Sequence, residues 1–416
     1  MISGQSINSP KSVSPIHFQT LHFPAHAVLC VTVCCLEGSP GSPHALVAAL
    51  RVRPGKGVVQ HAGSRKASFP PRPVWPDGHP SPPSGQRSDL RAKMAGRLSM
   101  SERLNAWPAL VYEDLAPMVD YVNRLVQVGG KYTLDEPFEA GWGNIVLDVT
   151  SRGLRTPTFR RQGVTFEVHY RLLDSDVVVE SDRGSVTVPV SDGSLAAFYA
   201  SFCDAAAELG VRPPRTSLIC EIPGAPRKFE DDQVERTWDG DAARLMWTAF
   251  DLAAGGLETW QAPFQGHRPR VGVMWGGFDL SATRYRAHPA TPEADRPAFM
   301  QNAARDEYVS VGFTFGDAKS PNASMYAYIW PQPDGLEGRT WGVDGAAWNP
   351  GAGLVLLPWS TLRKTADPRQ AVVACGDAVY EAAVETAGWP ADVIGSRCDG
   401  WRMSTTPPAA VRGRDQ

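Results

Sequence analysis

Trp275-Gly276-Gly277-Phe278-Asp279-Leu280-Ser281-Ala282-Thr283 reads against Trp142-Gly143-Asn144-Ile145-Val146-Leu147-Asp148-Val149-Thr150, with Trp, Gly, Leu and Thr at equal offsets. Each stretch carries the residue-by-residue alternation of a half-buried strand. Working outward from the earlier one, Met118, Tyr121, Val122, Leu125 and Val126 recur at helical spacing and meet Gly129-Gly130. That predicts a helix over 114–128. Strand-like runs follow at Asn144–Thr150, Val164–Arg171, Asp176–Glu180 and Ser185–Val190, broken by the turn-prone Gly163, Asp174-Ser175 and Asp182-Arg183-Gly184. A second helix opens at Asp192 or Ser194, buries Leu195, Phe198 and Phe202, and ends at Gly210.

Outward from the later stretch the same order returns. A helical run from about Asp231 to Ala254, interrupted at Asp239-Gly240, carries Trp238, Leu245, Met246 and Phe250 and stops at Gly255-Gly256. Strand-like runs are predicted at Arg270–Arg284, Tyr308–Phe315, Met325–Trp330 and Gly353–Leu357. The last helix has Asp367 as cap and Pro368 in the favoured first position, and it runs to Gly388. The expected fold is therefore α+β, with duplicated helix–four-strand–helix units over 107–225 and 226–390 and mainly antiparallel sheets with helices on one face.

Alternation also says where to look for chemistry. Continued straight through, it puts Trp275, Asp279, Ser281 and Thr283 on one face, with Phe278, Leu280 and Ala282 packing on helices. In the first half Asp148 and Thr150 oppose Ile145, Leu147 and Val149, while Glu167 and His169 oppose Phe166 and Val168. Candidate ligand-binding residues are thus Trp142, Asp148, Thr150, Glu167, His169, Trp275, Asp279, Ser281 and Thr283. If the two polar faces line a shared cleft, indole walls above carboxylates suit a neutral or cationic small molecule or a peptide. The competing reading is a solvated sheet face.

The opening Trp107-Pro108-Ala109-Leu110-Val111-Tyr112-Glu113-Asp114, the strand Val149-Thr150-Ser151-Arg152-Gly153-Leu154, the run Phe166-Glu167-Val168 and Trp275–Leu280 continuing to Thr283-Arg284 carry a family resemblance. So do Tyr326-Ala327-Tyr328 and Leu356-Leu357-Pro358. Over about 107–389 the chain resembles the uncharacterised family called domain of unknown function 5996. That resemblance implies a bacterial, cytoplasmic protein and carries no reaction with it. The family's segment before the first strand is rich in tryptophan and histidine; here Ala140-Gly141-Trp142-Gly143-Asn144 keeps the tryptophan alone.

Composition narrows the functional classes. Only 20% of the 416 residues are charged and the net charge is -3, with no basic stripe, so neither nucleic acid nor a membrane surface is an expected partner. Cys203 and Cys375 fall in apolar helical patterns, which fits a reducing compartment. His169, His267 and His288 lack a second histidine or cysteine at ligand spacing, so no metal and no cofactor is expected. Gly272-Val273-Met274-Trp275-Gly276-Gly277 leads into a strand, which leaves a phosphate cradle without its helix. Residues 1–93, rich in Pro, Gly and Ser, are expected to be a disordered extension or sequence upstream of a natural start at Met94 or Met100. A second disordered tail is expected over 399–416. Three functions compete: a binding module for a small molecule or peptide in a cleft between the repeats, a hydrolase-like enzyme using Asp148, Asp279 and His169 in that cleft, and a structural or partner-binding protein.

Overall fold

The computed structural model describes residues 107–161, 163–295, 298–391 and 393–394; the expected extension over 1–93 and tail over 399–416 lie outside them. Six α-helices lie among the described residues: α1 Tyr112–Gly130, α2 Leu195–Glu208, α3 Gly240–Gln261, α4 Ala298–Ala303, α5 Trp359–Leu362 and α6 Pro368–Ala387. Capping fixes three starts. Ser194 accepts from the Ala197 amide, Asp367 from Gln370, and Asp239 from both Asp241 and Ala242. The expected interruption at Asp239-Gly240 is the true start of α3, and of the run expected before it only a short 3-10 turn, Phe229–Asp231, forms.

Gly129-Gly130 are the last residues of α1, as expected, whereas Gly255-Gly256, also read as a helix end, lie inside α3. A Cβ at Gly130 would come within 2.6 Å of the Trp275 ring, and one at Gly256 within 3.1 Å of Val372 on α6. These glycines admit close neighbours; the helices run on to Gly130 and Gln261 because the buried contacts outweigh glycine's modest helix penalty.

Twelve strands follow the order of the chain: β1 Val146–Thr150, β2 Gly153–Arg155, β3 Phe159–Arg161, β4 Val164–Arg171, β5 Asp176–Ser181, β6 Gly184–Pro189, β7 Gly272–Met274, β8 Asp279–Pro289, β9 Asp306–Thr314, β10 Ser324–Trp330, β11 Ala347–Asn349 and β12 Leu354–Pro358. They form one antiparallel sheet in the order β11-β12-β10-β9-β8-β7-β1-β2-β4-β5-β6, with β3 also on β4. The seam between its halves is narrow. Val146 and Leu147 of β1 pair with Met274 and Val273 of β7, while Asp148–Thr150 pair onward with β2. Two polar faces that belong to one sheet lie side by side, so they do not oppose each other across a cleft as expected.

On the helix face Leu147, Val168, Leu280, Val311 and Ala327 are fully buried in one continuous core with Val126, Phe202, Phe250 and Val379. The expected single strand Arg270–Arg284 is a hairpin. Its turn, Trp275–Phe278, closes with the Phe278 amide donating to Met274 O at 2.8 Å and places Phe278 at φ 60°. Alternation restarts across that turn. Trp275 therefore points into the helix side while Asp279, Ser281 and Thr283 take the other face, which corrects the expectation that all four share one side.

Candidate functional site

The face away from the helices has two zones. Over the first half, pairing register aligns Asp148, Arg155 and His169 in a row across β1, β2 and β4, and sets Glu167 opposite Glu180 across β4 and β5. Arg155 Nη2 donates to Asp148 Oδ2 at 2.9 Å, and Arg270 donates to the other oxygen. Thr158 Oγ1 donates to Glu167 Oε2 at 2.8 Å. His169 Nε2 lies 2.8 Å from Glu167 Oε1 and 3.5 Å from Glu180 Oε2. Partial burial works to raise the Glu167 pKa, but the hydrogen bonds from Thr158 and His169 and the charge of Arg155 hold it below the usual carboxylate range. Glu167, His169 and Glu180 each offer a ligand atom, and these atoms lie within 4.8 Å of one another.

Over the second half the same face is closed off. Tyr285, Tyr308, Tyr326, Tyr328 and Leu354 form a separate buried cluster there. It borders a cavity of about 30 Å³, room for about one water, lined among others by Asp279, Ser281, Thr283 and Ser310. Tyr326 donates its hydroxyl to Asp279 Oδ2, and Ser310 Oγ meets Thr283 Oγ1 at 3.1 Å and Ser281 Oγ at 3.3 Å. Burial pushes the Tyr285 and Tyr308 phenols well above their ordinary range, so they stay neutral hydrogen-bonding groups. The Tyr326 ring passes so close over Gly312 that a Cβ there would fall 2.2 Å from it. Gly141 of the 3-10 segment Ala140–Ile145 and Ala303 of α4 also line the cavity, and the two segments are tied by Trp142 Nε1 donating to Phe299 O at 3.1 Å.

The nine candidate residues thus fall into groups. Asp148, Glu167 and His169 share the ionic zone, and Asp279, Ser281 and Thr283 share the cavity. Thr150 donates to Gly153 O at 3.2 Å and serves the β1–β2 hairpin. Trp142 is half-buried and does not line the cavity; it packs edge-on to Phe138 at 4.9 Å. Trp275 belongs to neither zone: it is fully buried, and its indole donates to Thr133 Oγ1 at 3.0 Å. Glu180, Arg155, Thr158, Ser310 and the tyrosines of β8 and β9 were missed. Their signal was available in cross-strand register, which decides who meets whom, while spacing along one strand does not. A ligand set of one histidine and two carboxylates on paired strands also escapes a search for His and Cys at fixed intervals.

These features define an α+β protein built on a single antiparallel sheet, with helices on one face and a polar, partly enclosed surface on the other. Residues 107–396 match a family of unknown function, DUF5996, and the chain belongs to that family. No curated protein and no solved structure matches it. Among the described residues no helix is long and apolar enough to cross a membrane.

Proposed function

We propose that the ionic zone is the site of a hydrolase-type reaction, with Glu167 and His169 as an acid/base couple and Glu180 completing a set that can hold a divalent cation. The observation that carries this reading is the convergence of those three side chains within 4.8 Å. Glu167 and Glu180 stand directly opposite on one face, where like charges repel; a cation between them removes the conflict. One imidazole and two carboxylates suit zinc or manganese and leave coordination positions open for water. Without metal, Glu167 holds the ring at Nε2, which leaves His169 Nδ1 to take a proton from water. Arg155, held by Asp148, supplies positive charge beside a developing oxyanion. Calorimetric titration with Zn²⁺ and Mn²⁺ tests the site. Binding should weaken about tenfold or more in Glu167→Gln and His169→Ala, and a metal-stimulated hydrolysis of ester or phosphoester probes should be lost with it. Equal binding by all three proteins would defeat the proposal.

The cavity favours a second reading, a binding module. With room for about one water, the cavity suits the tip of a ligand, such as an ammonium or hydroxyl group, reaching toward Asp279 from the mouth. Thermal-shift screening of small metabolites on wild type and Asp279→Asn separates the two: a hit abolished by Asp279→Asn but untouched by Glu167→Gln belongs to the cavity. The meeting of β1 and β7 at the middle of the sheet supports an origin in two related halves. That no described cysteine pairs in a disulfide fits a cytoplasmic setting.

A further inference from the structure

Behind the sheet, remote from both zones in chemistry, a lysine and a cysteine are buried against each other. Lys131 follows directly on α1 and is 1% exposed; Cys220, in the connection between α2 and α3, is 3% exposed. Lys131 Nζ lies 2.9 Å from Cys220 Sγ. Gln127, itself fully buried, clamps the cysteine backbone at both ends: its Nε2 donates to Cys220 O at 2.8 Å and its Oε1 accepts from Cys220 N at 2.9 Å. The amine also rests 4.5 Å from the centre of the Trp275 ring and 5.9 Å from that of Phe229. An amine withdrawn from water costs free energy to keep charged unless an anion or a π face meets it. A thiolate beside it is the form that oxidants attack. Access is short, because Cys220 is the one buried residue in the run 215–228.

We propose that Lys131 and Cys220 are an oxidative modification site, joined through a single oxygen atom when a hydroperoxide of the hydrogen peroxide class reaches the pair. One peroxide oxidises the thiol to a sulfenic acid and leaves as water. The hydroxide released in that step becomes water by taking any extra proton from the amine, and a second peroxide oxidises the neutral amine, through its nitrogen lone pair, to a hydroxylamine and likewise leaves as water. The hydroxylamine oxygen then displaces water from the sulfenic sulfur, giving Nζ–O–Sγ. Sulfur and nitrogen each lose an electron pair, the two peroxides accept them, and three waters form. Geometry favours this product over a direct nitrogen–sulfur bond. The 2.9 Å between the two atoms is close to the span of two single bonds through one oxygen and well beyond the length of one single bond. The link would tie the end of α1 to a residue 89 positions away.

Peptide mapping of the full chain before and after hydrogen peroxide decides the matter. After oxidation trypsin should no longer cut behind Lys131, and the peptide 125–152 should travel joined to 216–227. The pair should weigh one oxygen more and two hydrogens less than the sum of its parts. Excess dithiothreitol should restore both peptides, and Cys220→Ser should never form the link. The proposal is overturned if oxidised wild type still cuts behind Lys131 with Cys220 ending as a sulfinic acid or an unmodified thiol, or if the joined peptides lack the extra oxygen. Because the wild-type map alone separates these results, a Cys220→Ser chain that fails to fold does not blunt the test.

Discussion

Glu167 shows how much a single side chain takes from its surroundings. Its pKa is lowered in the folded protein, so its contribution to stability is fully present above the unfolded carboxylate value of about 4.3 and is lost as pH falls through the lower folded value. Removing the Thr158 hydroxyl should move the folded pKa back up. Thr158→Val should then lose its stability advantage at a higher pH than wild type, a shift that denaturant titrations between pH 3 and 6, roughly the carboxylate range, will register. If the two acid limbs superimpose, the hydroxyl is not what sets this carboxylate. Phe278 gives a second test on the opposite face. It is 3% exposed and packs edge-on to Phe250 at 5.4 Å, so Phe278→Ala should cost about 3–5 kcal/mol by chemical denaturation.

Among elements, helices and strands were largely legible in the sequence while their partners were not. Periodicity located α1, α2, α6 and β4, because each buries one side and its pattern records which, while the turn residues around them marked off β5 and β6. It misread Trp275. A four-residue turn inside what looked like one strand resets the alternation, and nothing local announces that Phe278 will take a left-handed backbone. It also missed the burial of Tyr326 and Tyr328, since the cover over that face comes from segments distant in the chain. A helix start is a local matter and can be tested locally. Asp239→Ala should destabilise by about 1 kcal/mol through loss of the α3 cap, and Asp239→Asn by much less. Equal losses would mean the carboxylate's charge, not its capping bonds, matters there.

At the scale of the molecule, the core runs without a break from Leu125 and Phe202 in the first half to Phe313 and Val379 in the second. Scanning calorimetry should accordingly give one transition for residues 107–394, with calorimetric and van't Hoff enthalpies in agreement; two resolved transitions would show halves that melt apart. Gly272 sits on the seam, where a Cβ would lie 2.3 Å from Leu147 O, so Gly272→Val should lower the melting temperature sharply. The strand order has one more consequence, for how the protein behaves in crowded solution. A long open sheet invites neighbouring copies to add strands at its margins. Here the outer strands are β11, three residues long and followed by Pro350, and β6, which finishes on Pro189. A three-residue margin on one side and proline-stopped ends on both give an incoming chain less backbone to copy, so polymerisation is discouraged at the very places where the architecture would otherwise promote it.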